Sequence, residues 1–296
     1  MSCAVPARSA VEKTMASVTL RAFAKINLSL RVQGVRADGF HEVQTILQTI
    51  DLFDRVTCAT WRGSFEIRCM KPGVPTDRTN LVWIAARYLW RAGGRDGQPR
   101  DAYVALEKNI PMQAGLGGGS SNAAAALLGL RRIWKLRVAN DELAAIAAQI
   151  GSDVPYFLVG GTALGLGRGD EVYPLEELPR LWVVLVLPPF GVATKDAYEW
   201  LDAQETRPPS SGQILRGFPT PLTNDLEAPV IERHPIINRL KTRLRAEGAV
   251  LAAMSGSGST VFGVFTAERS ARAAARKLEK SGADVRWARF QRRARA

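Results

Sequence analysis

The sequence predicts an α+β protein built as two domains, and three observations carry that reading. The 296 residues suffice for two domains of ordinary size, and 46% hydrophobic against 23% charged residues is the balance of a soluble globular chain. The first half reads as strands that lead into a glycine loop and an alanine-rich helix. The second half alternates strands with helices, the pattern of a small mixed sheet.

Taken in order, residues 18–24 and 26–32 alternate apolar and polar side chains as half-buried strands do. Residues 43–50 are a further apolar stretch, with a turn expected at 51–54. Residues 56–60 and 64–69 read as short strands, and 80–90 as a helix capped by Thr79. A strand at 102–108 feeds the glycine loop. Residues 123–128, all Ala or Leu, form a helix for which Ser120, Ser121 and Asn122 are good first residues. Residues 141–150 are helical, with Asn140 as the cap and Gly151 as the stop. Five glycines within 160–169 mark a strand and turn near a domain boundary. Residues 181–187 are a buried strand that Pro188 and Pro189 terminate. A helix follows at 194–200, then a Pro/Ser/Gly-rich loop at 206–221 and a helix at 235–247. Strands at 248–254 and 260–266 flank Ser255-Gly256-Ser257-Gly258-Ser259. A helix at 267–280 and a strand at 285–289 complete the chain.

No apolar run approaches the roughly 18 residues of a membrane helix. Residues 1–17 carry Arg8, Glu12 and Lys13 without an apolar core. They read as a disordered extension, with organelle targeting as the alternative, and not as a secretory signal. The three cysteines, Cys3, Cys58 and Cys69, show no metal spacing. They read as reduced thiols in a cytoplasmic setting. The two histidines, His41 and His234, are far apart, which argues against transition-metal chemistry. The net charge of +12 suits either nucleic acid or anionic small substrates. Part of the excess is a cluster of Arg286, Arg289, Arg292, Arg293 and Arg295, expected to be a solvated basic terminus. It lacks the interleaved aromatics of a single-strand binding platform.

The most informative stretch is Pro111-Met112-Gln113-Ala114-Gly115-Leu116-Gly117-Gly118-Gly119-Ser120-Ser121-Asn122. Glycines let backbone N–H groups converge, and the helix start adds its own unpaired N–H groups and partial positive charge, so this arrangement binds phosphate. Lys108, just before it, is placed to lend a full charge. An ordinary P-loop is excluded, because Gly119-Ser120-Ser121 stands where Gly-Lys-Ser/Thr is needed. A dinucleotide fingerprint is excluded by Ser120 in place of its third glycine. Three other segments stand out. Lys25 and Asn27 share one side of a strand, which from this segment alone reads as a strand edge with solvated polar residues. Phe40-His41 follows the Asp38-Gly39 turn and reads either as a pair that stacks on and bonds a base or, more commonly for such a pair, as a core aromatic and a surface histidine. Asp153 is a single acid among apolar residues, and a carboxylate so placed needs a partner such as Lys25. The second glycine loop, Ser255 to Ser259, has apolar flanks and is expected to pack against the first.

Together these segments resemble the GHMP kinase superfamily. Its three motifs are matched by residues 24–28, 111–122 and 254–261. The branch that phosphorylates 4-diphosphocytidyl-2-C-methyl-D-erythritol is resembled through Ala24-Lys25-Ile26-Asn27-Leu28 and Arg36-Ala37-Asp38-Gly39-Phe40-His41-Glu42. Gly151-Ser152-Asp153-Val154-Pro155 and Asn224-Asp225-Leu226-Glu227 are further matches. The resemblance implies an N-terminal domain like ribosomal protein S5 domain 2, at 18–168, and a ferredoxin-like domain at 169–290. Residues 1–17 and 291–296 are then an extension and a basic tail.

The resemblance also implies roles. Gly115, Leu116, Gly117, Gly118, Gly119, Ser120 and Ser121 wrap the phosphates of ATP. Asn80, Lys108 and Pro111 lie near the nucleotide, and Mg²⁺ comes with ATP and not from a protein-only cage. Asp153 is the catalytic acid and Lys25 its partner. Asn27, Phe40, His41, Thr194 and Tyr198 bind the acceptor, with cytosine sandwiched between Phe40 and Tyr198 and His41 on its edge. Ser255, Gly256, Ser257 and Gly258 form the C-terminal glycine loop. The expected partner is this small molecule alone, without nucleic acid or membrane, for a monomer or homodimer. Gln113 and Ala193 depart from the glycine and serine common at those positions. The rival readings are a mevalonate- or homoserine-type kinase, and a nucleic-acid-binding S5-like protein.

Overall fold

The computed structural model describes residues 16–204 and 222–293. The expected loop at 206–221 and nearly all of the 1–17 extension lie outside them, as does Arg295. The chain opens with two long antiparallel strands, β1 (Ser17–Val35) and β2 (His41–Ser64), and β3 (Glu66–Cys69) follows. Next come α1 (Leu81–Ala92), β4 (Arg100–Glu107), α2 (Gly118–Ile133), α3 (Asn140–Ile150), α4 (Val154–Val159), β5 (Thr162–Leu166) and β6 (Glu171–Pro174). These strands make one six-stranded sheet in the order β3-β4-β2-β5-β6, with β1 paired to β2. The second sheet begins at β7 (Trp182–Leu187), followed by α5 (Thr194–Asp202), α6 (Glu227–Arg233) and α7 (Ile236–Ala246). It ends with β8 (Leu251–Met254), β9 (Val261–Phe265), α8 (Glu268–Lys280) and β10 (Asp284–Arg289). Its order, β10-β7-β9-β8, is antiparallel throughout. That is the split βαβ arrangement of a ferredoxin-like unit, so the α+β class and the ferredoxin-like second domain hold.

Packing follows the pattern of each element. Val82, Ala85, Ala86 and Leu89 of α1 and the alanines of α2 bury one stripe each against Val56, Cys58, Val104 and Leu106 of the first sheet. Burial pushes the Cys58 thiol up to about 12, leaving it inert. The second sheet covers one face with α5, α7 and α8. Its other face lies on β1 and β2: Ala24, Ile26, Leu28 and Ile50 interleave with Val183, Leu185, Ala253, Phe262 and Val264. The two sheets thus share an apolar core, which seats the domains against each other.

Four expectations change here. The turn expected at 51–54 is strand: β2 runs through it, paired with β1 at Phe23/Phe53 and shifted by a bulge before Ala24. The two aspartates that suggested a turn are paired, Asp51 with Arg289 and Asp54 with Lys108. The cap of α1 is Asn80, whose Oδ1 accepts from Val82 N at 2.9 Å, and not Thr79. The helix after the glycine loop starts at Gly118, so the glycines themselves form its first turn. β6 pairs with β5 in the first sheet, beyond the boundary expected at 168/169.

The basic terminus, as far as Arg293, is not a solvated tail. Gln291 N donates to Thr49 O at 2.8 Å, Arg289 pairs with Asp51 at 2.8 Å, and Arg293 donates to Thr162 O at 3.0 Å. Arginine–aromatic interleaving does occur, at the terminus itself, where the exposed Trp287 stands between Arg286 and Arg289 and under Arg272 at 4.3 Å, and on the first sheet. There Arg21 lies over Phe53, and Arg68 over both Trp61 and Tyr103. No helix among the described residues is long and apolar enough to cross a membrane.

Candidate active site

A cleft of about 1240 Å³ lies between the two domains and is lined from both. Its floor is β1, where Lys25 and Asn27 point the same way because strand side chains repeat every second residue. Lys25 Nζ donates to Asn27 Oδ1 at 2.6 Å, and Asn27 Nδ2 donates to Thr45 Oγ1 at 2.8 Å, which fixes the amide orientation. Lys25 Nζ also lies 3.4 Å from Asp153 Oδ2. Asp153 sits immediately before α4, with its side chain 38% exposed to the cleft while that of Lys25 is 6% exposed. The acid therefore does have the expected partner, and it makes no capping bond to its own helix.

One turn further on, the buried Tyr156 hydroxyl donates to Gly161 O at 2.8 Å and lies 2.7 Å from Thr49 Oγ1. Thr49 is the register partner of Lys25. α4 is thus tied to the strand that pairs with Lys25, and this sets the spacing of the acid and the ammonium. Burial raises the Tyr156 phenol and keeps it a neutral hydroxyl.

The two glycine loops meet over this floor. Ser255 Oγ donates to Gly115 O at 2.9 Å, and a Cβ on Gly115 would stand 2.2 Å from Ser255 O. Gly115 and Gly117 hold φ of +72° and +69°, where glycine is favoured. The loop is tied to the floor by Lys25 N, which donates to Leu116 O at 3.0 Å. Asn224 fastens the second loop from below, donating to Met254 O and Gly256 O at 2.9 and 2.8 Å. Glu227 accepts from Met254 N at 2.7 Å. The start of α2 then presents the backbone of Gly118, Gly119 and Ser120 to the cleft, the geometry that receives phosphate.

Some expected residues are placed differently. Lys108 lends no free charge: Nζ pairs with the fully buried Asp54 and donates to Asn122 Oδ1 at 2.8 Å. Asp54 also accepts from Asn109 N and Ile110 N, at 2.6 and 2.8 Å, so this network shapes the strand-to-loop corner. Ser121 is buried and does not line the cleft. Ser255 supports the loops from behind, while Gly256, Ser257 and Gly258 line the cleft. The side chain of Asn80 is spent locally, on its helix cap and on Pro75 O at 2.6 Å. Leu116 and Pro111 line the cleft as well.

At the far end Phe40, His41, Thr194 and Tyr198 come together. Thr194 Oγ1 lies 3.2 Å from Ser257 Oγ. The expected sandwich of Phe40 and Tyr198 is not preformed. His41 itself stacks on Tyr198 at 4.5 Å, and Arg168 lies over Phe40 at 5.0 Å. Burial, reinforced by the charge of Asp153, pushes the Tyr198 phenol up to about 12. The residues that sequence reading missed are Asp54, Thr49, Tyr156, Arg168 and Asp202. Each makes its contact here with a partner distant in sequence, although Arg168 also pairs with Asp170 two residues on. Among the described residues no group of three or more His, Cys, Asp or Glu gathers to hold a metal ion.

Comparison with known proteins gives the family. Residues 80–161 match the family model described as GHMP kinases N terminal domain, and residues 208–284 match GHMP kinases C terminal. The chain is 41% identical to a 4-diphosphocytidyl-2-C-methyl-D-erythritol kinase of Moorella thermoacetica, over 89% of this chain and 95% of the relative. It is 40% identical to the enzyme of that name from Geobacter metallireducens, over 90% and 96%. A crystal structure of 4-(cytidine 5'-diphospho)-2C-methyl-D-erythritol kinase superposes with a TM-score of 0.76 at 34% identity, covering 92% of this chain and 99% of that one. An L. major mevalonate kinase in complex with R-mevalonate shares the fold, with a TM-score of 0.69 at 13% identity over 96% and 99% of the two chains. With near-full coverage at this identity, the chain belongs to the GHMP kinases, in their 4-diphosphocytidyl-2-C-methyl-D-erythritol kinase family.

Proposed function

We propose that this chain transfers the γ-phosphoryl group of ATP to the 2-hydroxyl of 4-diphosphocytidyl-2-C-methyl-D-erythritol, in the non-mevalonate route to isoprenoid precursors. The observation that carries the residue roles is the Lys25–Asp153 pair, 3.4 Å apart on the floor of a cleft with a phosphate-type loop on one side and aromatic rings on the other. Phosphoryl transfer is mostly positioning and charge stabilisation. Backbone N–H groups of Gly117, Gly118, Gly119 and Ser120 take the phosphates, with Gly115 and Leu116 shaping the turn. Asp153 orients the acceptor hydroxyl and takes its proton. Lys25, aimed by Asn27, stabilises the charge that develops between donor and acceptor. Pro111 and Asn80 border the nucleotide. Thr194 and the Ser257 loop border the acceptor, and Phe40, His41 and Tyr198 receive its base. Mg²⁺ neutralises triphosphate charge when it is bound with the nucleotide. The cleft offers it hard oxygen donors in the Asp153 carboxylate and the Ser120 hydroxyl. The free thiols of Cys58 and Cys69 fit a cytoplasmic setting.

The test is the acceptor without its nucleotide. Binding energy from the remote cytidylyl group holds the hydroxyl in line, so its loss reaches kcat as well as KM. Methylerythritol phosphate is expected to be phosphorylated at least about 10²-fold less efficiently than the full acceptor, given stacking worth roughly 1–3 kcal/mol per base and further polar contacts. Equal efficiency would remove the base from the site.

A further inference from the structure

The imidazole of His41 stands at the end of the first sheet but is held by the second domain. Its Nε2 lies 3.0 Å from each carboxylate oxygen of Asp202. Its ring lies on Tyr198, with centroids 4.5 Å and planes 24° apart. Tyr198 and Asp202 are one helical turn apart on α5, so one face of one helix supplies both a platform and an anchor. An ionised carboxylate only accepts hydrogen bonds. Asp202 therefore requires the proton on Nε2, and of the two tautomers of the neutral ring it favours the one that leaves Nδ1 as a lone pair. Among the described residues no hydrogen bond reaches Nδ1. The His41 side chain keeps 13% of its exposure, and it lines the cleft beside Phe40.

We propose that Asp202 is a specificity-determining residue. By fixing His41 as the Nε2–H tautomer, it makes Nδ1 an acceptor for the 4-amino group of cytosine and turns away uracil, which offers a carbonyl oxygen there. Cytosine and uracil have the same shape and differ at this edge in one donor against one acceptor, so a ring that can only accept discriminates between them. A ring free to carry its proton on either nitrogen would serve both bases. The inference rests on the proposed placement of the base at Phe40, His41 and Tyr198. The alternative is that Asp202 and His41 simply latch the two domains. Loss of a latch changes stability and slows both acceptors alike, leaving their ratio intact.

Two measurements on the purified full chain separate these readings. The first is the tautomer, read from long-range ¹⁵N–¹H spectra of the wild type at the pH of the assay. With only two histidines in the chain, assignment needs one further variant, His234→Gln. The expected result is His41 with a protonated Nε2 and an unprotonated Nδ1. A ring protonated on Nδ1, or on both nitrogens, overturns the proposal. The second is the ratio of kcat/KM for the cytidylyl acceptor to that for its uridylyl analogue, in wild type, Asp202→Asn and Asp202→Ala. The asparagine amide can donate to Nε2 and turn Nδ1 into a donor, and alanine releases the ring. The wild-type ratio is expected at about 10²-fold or more, and both variants should lower it at least about 10-fold. An unchanged ratio in the variants overturns the proposal whatever happens to the absolute rates. If the wild type does not phosphorylate the cytidylyl acceptor at all, the proposed function itself falls and this inference with it. The wild-type spectrum keeps the proposal refutable should both variants misfold.

Discussion

Lys25 and Asp153 belong to elements far apart in the chain, and three contacts bring them to 3.4 Å. Lys25 is aimed by Asn27 and Asn27 by Thr45. Asp153 is placed by α4, which Tyr156 ties to Thr49. Asp153→Asn keeps the shape of this group and removes its basicity. The expected outcome is ATP affinity close to wild type with kcat lowered by roughly 10²-fold or more, as loss of a positioned base does. Stopped-time ADP release on the folded variant reads this, and near-normal turnover would take Asp153 out of the mechanism. At this scale the sequence was informative at Asp153, an acid chemically out of place among apolar neighbours, while Lys25 and Asn27 read from their own segment as a solvated strand edge and are in fact buried. It misled at Lys108. That charge looked available because its partner, Asp54, lies in a stretch that reads as a turn, and a pairing across the sheet leaves no local signature.

Among the elements, the glycine loop is defined by its contact with the second loop as much as by its own turn. Gly115 has a positive φ, and its Cα faces Ser255 O so closely that a Cβ would fall 2.2 Å from it. Gly115→Ala must therefore both strain the backbone and push the loops apart. Affinity for a non-hydrolysable ATP analogue, measured by calorimetric titration, is expected to fall at least about 10-fold, from strain of order 1–3 kcal/mol. Unchanged affinity would mean that this loop is not the phosphate cradle. Most elements were legible from periodicity and punctuation: the helix stop at Gly151, the strand stop at Pro188, and the paired strands around Ser255 to Ser259. The long β2 was not. Asp51 and Asp54 resemble turn residues, and only the cross-strand partners Arg289 and Lys108 show why a strand tolerates them. The short α4, α6 and β6 were missed because so few residues carry no measurable period.

At the scale of the whole molecule, catalysis depends on two domains holding one cleft. Their shared core of Ile26, Leu28, Ile50, Leu185 and Phe262 makes the second sheet a fixed wall. The C-terminal segment adds a clasp, with Gln291 N on Thr49 O and Arg293 on Thr162 O, next to the strand that positions Lys25. Removing residues 291–296 should lower Tm by roughly 2–8 °C, from the loss of a few hydrogen bonds and one ion pair. A solvated tail would leave the melting curve unchanged. Net charge and composition had pointed to a free basic terminus, since neither reports which acidic side chains the fold carries to it.

The central claim is that the cleft of this kinase is built for a cytidylylated methylerythritol acceptor. The most direct measurement is coupled ADP release with ATP and three acceptors side by side: 4-diphosphocytidyl-2-C-methyl-D-erythritol, mevalonate and homoserine. ADP release with the cytidylyl compound alone, abolished by Asp153→Asn, is the predicted result. Turnover of mevalonate or homoserine with none on the cytidylyl compound would contradict it.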